Sequence, residues 1–127
     1  MTDNPRTRQV IGLAMNVHRA FGPALLESAY EEFLCIELDD AGIPFVRQIT
    51  ISAVHKGRKA TIAYRADIPV GDGPFLEIKS VGQLAKIHDA QMSIYRRLSG
   101  RRVGLLLNFN TVLLKDGLKR FINSPTP

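Results

Sequence analysis

Two apolar runs, FLEIKS (75–80) and VGLLLNF (103–109), are joined by a segment whose hydrophobic residues recur at helical spacing. Two strands linked through a helix run parallel, because a short turn can only reverse the chain. VGLLLNF is apolar at nearly every position, as a strand covered on both faces should be. These two runs therefore set the centre of the fold, and the rest of the chain has to supply its cover.

That cover is legible at the start of the chain. Asn4-Pro5 reads as a helix N-cap followed by proline at the first helical position, where its missing N–H costs nothing. Val10, Leu13, Ala14, Val17 and Phe21 follow at helical spacing, and Gly22-Pro23 ends that helix. A second helix over 25–40 carries Leu26, Ala29, Tyr30, Phe33 and Ile36 on one stripe; Gly42 closes it and Pro44 forbids its continuation. The period then changes to alternation. Residues 45–54 suit a strand, HKGR (55–58) a turn, and 59–70 a second strand with Ala66, Ile68 and Val70 on one face and Arg65 and Asp67 on the other. Gly71-Asp72-Gly73-Pro74 is a dense turn signal before FLEIKS. Leu84, Ile87, Gln91, Ile94 and Leu98 mark the crossover helix, Gly100 lies just beyond it, and 117–123 adds a short edge strand. The expected architecture is an α/β sandwich around a mixed sheet, in the order α-α-β-β-β-α-β.

With 127 residues the chain has room for one core, so a single domain is expected over 1–123, with a disordered Ser-Pro-Thr-Pro tail at 124–127. A net charge of +5 tilts its partners toward nucleic acid or an anionic surface. The single cysteine, Cys35, excludes an intrachain disulfide and a cysteine-rich zinc site, and its apolar helical setting predicts a buried, inert thiol. MTDNPRTRQV has no signal-peptide pattern and no apolar run reaches membrane-spanning length, so a reducing, cytoplasmic setting is the expectation.

Within FLEIKS the strand period points Glu77 and Lys79 to one face. Asp67 lies on the preceding strand of the same hairpin, and Gln91 is a polar side chain in the apolar stripe of the following helix, where a buried amide needs partners. Two readings stay open on these residues alone. An amphipathic hairpin with one wet face would pair Asp67, Glu77 and Lys79 among themselves. Alternatively, two carboxylates and an ammonium suit a hard divalent cation, since Mg²⁺ takes one or two protein carboxylates and leaves the remaining positions to water and phosphate.

GPALLESAY, YRADIPV, LEIKS, HDAQMSIY and GLLLNFN, in that order, resemble the GxxExxY proteins of the PD-(D/E)XK nuclease superfamily, over about residues 10–123. The family's glycine falls at Ala24, while Glu27 and Tyr30 match; alanine there is expected to alter how the helix begins rather than the chemistry. The resemblance implies a restriction-endonuclease-like sandwich with a central mixed sheet flanked by helices. It implies Asp67 and Glu77 as metal ligands, with the Ile78 carbonyl as a further donor, and Lys79 as the motif lysine. Gln91 and Tyr95 have the Gln-x-x-x-Tyr spacing of the RecB-like branch, where this helix supports the site and contacts nucleic acid, and Glu27 corresponds to an acidic residue that some members add to the metal cluster.

Other residues carry two readings each. Tyr30 suits a core aromatic whose hydroxyl reaches a polar partner. His18 suits a packed, hydrogen-bonded histidine, although RecB-like enzymes place a histidine early; His88 has a weaker claim. Arg96, Arg97, Arg101 and Arg102 either compensate a helix end or form a phosphate-contacting ridge. The leading expectation is a Mg²⁺- or Mn²⁺-dependent nuclease acting on DNA, with a homodimer to enlarge its grip. The rival is a nucleic-acid-binding or regulatory module that keeps the fold without turnover.

Overall fold

The structure of the protein is a computed structural model that describes residues 5–47, 49–64, 67–71 and 73–122, with residues 49, 51, 62–64 and 67 described by their backbone. The expected N-cap at Asn4, the faces assigned to Arg65 and Ala66, and the tail at 124–127 lie outside the described residues.

The helical periods become α1 (Pro5–Phe21) and α2 (Glu27–Asp40). The alternating segment becomes β1 (Ile49–His55), β2 (Arg58–Tyr64), β3 (Asp67–Pro69) and β4 (Phe75–Lys79). The crossover helix is α3 (Lys86–Leu98), followed by β5 (Val103–Asn108), a 3₁₀ turn (Leu114–Gly117) and β6 (Leu118–Ile122). Strands are ordered β3-β4-β5-β6, with β4 and β5 parallel and the outer pairs antiparallel. The mixed sheet and the parallel central pair match the sequence expectation.

The expected single strand over 59–70 is instead two. Residues 58–64 pair with β1 in a separate two-stranded sheet, while 67–69 pair with β4. Alternation runs on through the exchange of partners, so the period alone carries no sign of the break. Phe45, at the expected start of the first strand, keeps only a bridge to Val70.

Alternation along β4 and β5 divides the core. Leu76, Ile78, Leu105 and Leu107 pack with Val10, Ala14, Val17, Leu34 and Leu38 of α1 and α2, while Phe75 and Leu106 pack with Met92 of α3. Burial of Cys35 in α2 pushes its thiol up to about 11, which keeps it protonated and unreactive at neutral pH.

Two stripes differ from expectation. On α2 the buried residues are Tyr30, Leu34, Cys35 and Leu38, whereas Leu26 and Ile36 face solvent. On α3, Met92 and Arg96 are buried and Ile87, Ile94 and Leu98 are exposed. The cause lies in β5: a Cβ at Gly104 would overlap Met92 Sδ and crowd Arg96 Cδ, so the glycine lets this face of the helix settle onto the strand. The Arg96 stem lies along apolar surface and its Nη1 reaches the Arg101 carbonyl at 3.2 Å.

The loop between α1 and α2 explains why a glycine suits the position of Ala24. Its φ is +81°, in the left-handed region that costs a residue with a Cβ about 1–2 kcal/mol. Ala24→Gly is expected to stabilise the fold by about 1 kcal/mol, after the added freedom of the unfolded chain is subtracted. Chemical denaturation measures this directly, and an unchanged or lower midpoint would contradict it.

Candidate active site

Glu77 lies in the middle of β4 on the side of the sheet that α3 covers, and it is fully buried. A carboxylate there is costly unless a charge or donor meets it. Lys79, two residues on and on the same face, brings Nζ to 3.2 Å from Glu77 Oε1. The same ammonium donates to Gln91 Oε1 of α3 at 3.0 Å. The polar residue in the middle of α3 is thus accounted for: it is the second anchor of the lysine.

Asp67 is the direct register partner of Glu77 across the β3–β4 hairpin. Opposed positions of an antiparallel pair share a face, with Cβ atoms about 5 Å apart. The side chain of Asp67 lies outside the described residues. Ile78 points its side chain into the core between the sheet and α1 and α2, so any role at the site would fall to its main-chain carbonyl.

The segment leaving β4 is held from both layers. Ser80 N donates to Glu27 Oε2 at 3.4 Å, and Ser80 Oγ donates to the Leu25 carbonyl at 2.5 Å. Glu27 is the first residue of α2, where the helix dipole favours its charge. Tyr30 fixes the loop that carries Leu25. Its hydroxyl donates to the Gly22 carbonyl at 2.6 Å and accepts from Leu25 N at 3.1 Å, and its ring stacks on Phe109 at 4.4 Å. The buried, hydrogen-bonded reading of Tyr30 is the one the geometry gives.

Asn108, the register partner of Lys79 on β5, lies in the GLLLNFN stretch but receives no role from the resemblance. Its Oδ1 accepts from Val81 N at 3.1 Å and its Nδ2 donates to the Val81 carbonyl at 3.0 Å. The available signal is an amide in a strand otherwise apolar: such a group has to satisfy a particular backbone partner. Ser80, at the end of FLEIKS, carries no periodic cue to its role.

The remaining candidates divide. His18 is buried and donates from Nε2 to the Thr111 carbonyl at 2.8 Å, beside the ring of Phe109. His88 Nδ1 accepts from Ala85 N at 2.9 Å and caps α3. Tyr95 packs beside Phe75, Met92 and Leu106. The four arginines do not form one ridge. Arg96 is buried, and Arg101 Nη1 donates to the carbonyls of Val70, Gly71 and Gly73 at 3.2, 2.6 and 3.1 Å, tying the end of α3 to the β3–β4 turn. Arg97 and Arg102 are exposed.

Among the described residues no group of three or more His, Cys, Asp or Glu side chains is close enough to hold a metal ion. The carboxylates nearest this end of the sheet by position are Glu77, Asp67 at its register position, and Glu27, which meets Ser80 N at the exit of β4, a set of oxygen donors only. Such a set fits a hard divalent cation that keeps most of its shell as water or phosphate, and does not fit zinc in a closed cage.

A family model described as the PD-(D/E)XK nuclease superfamily matches residues 4–121. The comparison with curated proteins found no match, nor did that with solved structures. A mixed four-strand sheet between helices is consistent with a restriction-endonuclease-like fold.

Proposed function

The chain belongs to the PD-(D/E)XK nuclease superfamily, and from that premise we propose that it is a nuclease that hydrolyses phosphodiester bonds of DNA with Mg²⁺ or Mn²⁺. The observation that carries the proposal is the chain Glu77–Lys79–Gln91, in which a fully buried carboxylate is met by a half-buried ammonium, an arrangement too costly to keep for surface solubility alone.

Glu77 and Asp67 would hold the ion, joined by the Ile78 main-chain carbonyl and by Glu27 as an outer carboxylate. When bound, the ion supplies Lewis acidity toward the phosphoryl oxygen and lowers the pKa of a water molecule. Lys79 orients that water or offsets the negative charge building on the phosphoryl group. Gln91 acts on Lys79, since its Oε1 fixes one side of the ammonium while Glu77 fixes the other. Arg97, Arg102 and Tyr95 are the residues assigned to the nucleic-acid backbone, in keeping with the net charge of +5.

The test is incubation of the purified protein with supercoiled plasmid and with single-stranded DNA in Mg²⁺, Mn²⁺ or EDTA. Cleavage is expected in either metal and none in the chelator. Binding without cleavage in both metals would replace the hydrolase by a nucleic-acid-binding module, whose affinity would fall steeply with salt.

A further inference from the structure

Next to Asn108, at the same end of the sheet as Lys79, lies a cavity of about 290 Å³ with both polar and apolar walls. Its walls are Gly82, Gln83 and Leu84, which follow shortly after Lys79, and Thr111, Asp116 and Lys119, which follow β5. Cα positions 79 and 108 are register partners on adjacent strands, about 4.8 Å apart. A nucleoside attached to a phosphate at Lys79 can reach that far.

The cavity is built before any ligand arrives. Asn108 clamps both backbone groups of Val81, fixing the start of one wall. On the other side, a Cβ at Gly117 would overlap the Asn108 carbonyl, so only glycine lets the 3₁₀ turn close against β5. Thr111 Oγ1 donates to the same carbonyl at 3.3 Å.

Its chemistry selects a base over a phosphate. Leu84 packs against Phe75, Met92 and Leu106 and offers a supported apolar wall to a planar ring. The Lys119 ammonium is already matched by both oxygens of Asp89, at 3.0 and 2.9 Å. Asp116 has no ion-pair partner among the described residues, so the charge left in the cavity is negative. A carboxylate repels phosphate and accepts hydrogen bonds from an exocyclic amino group. The Gln83 amide adds one acceptor and two donors at the rim.

We propose that this cavity is a base-binding subsite beside the scissile phosphate, taking a nucleoside with an exocyclic amino group in preference to thymidine. The assignment of its neighbour rests on the nuclease reading above.

The experiment has a binding arm and a cleavage arm. In the binding arm, dCMP and dTMP are titrated into the ¹⁵N-labelled protein without metal, following the Gly82 and Gly117 amides and the Gln83 side-chain NH₂. Saturation by dCMP is expected at concentrations about tenfold below those for dTMP, and Asp116→Asn should remove the difference. A Cβ at Gly82 would meet no heavy atom within 4 Å, and the φ of this residue is not positive, so Gly82→Phe can introduce bulk without backbone strain. It should weaken dCMP binding at least about tenfold with an unchanged melting temperature. In the cleavage arm, Gly82→Phe should raise KM for oligo-dC and leave kcat in place. Absent or identical shifts with the two nucleotides would overturn the subsite. Cleavage by the native chain with no KM change in Gly82→Phe would overturn it too, while sparing the nuclease. Discrimination between nucleotides without any cleavage would sink the nuclease reading and leave a base-binding cavity.

Discussion

Lys79→Ala is expected to cut phosphodiester cleavage by at least about a hundredfold, the usual loss when one preorganised charge is removed from a transition state. The deficit should fall on kcat, because substrate grip belongs to residues further from phosphorus. Gln91→Leu is expected to lose less, roughly tenfold, since Lys79 would keep its contact with Glu77 at 3.2 Å. The order of the two variants is the informative part. If Gln91→Leu were as damaging as Lys79→Ala, the amide would be acting on substrate and not through the lysine. Equal cleavage by all three proteins would trace the activity to a contaminant.

Glu77→Gln is expected to abolish metal-dependent stabilisation. A ligand present at about a hundred times its Kd raises the stability of the native state by about 2.7 kcal/mol. For a chain of this size that is a rise in Tm of roughly 10 °C. The native protein should show such a rise with Mn²⁺, and the variant should melt at one temperature whether or not Mn²⁺ is present. Glutamine keeps the shape and an acceptor for Lys79, so the fold should survive the substitution. The readout needs no nucleic acid, which separates loss of metal from loss of substrate. A full Mn²⁺ shift in Glu77→Gln would remove this residue from the ligand set.

The strands and the site are legible in the sequence to different depths, for physical reasons. FLEIKS and VGLLLNF stand out because a parallel pair covered on both faces tolerates few polar residues, and the four that break the pattern, Glu77, Lys79, Ser80 and Asn108, sit at the site or beside it. The resemblance in motif order then supplies roles that alternation cannot. Helix faces are harder to read. The α3 pattern points to Ile87, Ile94 and Leu98, yet the buried positions are Met92 and Arg96, because Gly104 on the following strand provides the space they fill. Arg96 misleads in the same way: its charge suggests a surface ligand, while its stem packs and its guanidinium meets a carbonyl. Arg101, with three carbonyl partners in a turn about thirty residues earlier, cannot be placed by any local rule. The special character of position 24 comes from the family pattern, and its cause is a backbone angle.

The central pairing of β4 with β5 bears on synthesis. Ribosomes deliver a polypeptide from its N-terminus, so the segment carrying Glu77 and Lys79 emerges well before Val103–Asn108. Until β5 arrives, one edge of β4 is an open apolar ladder, of the kind to which chaperones and other unfinished chains adhere. On the proposed nuclease function, Glu77 and Lys79 gain the cover of α3 and the neighbouring strand β5 only after that later segment has emerged and docked.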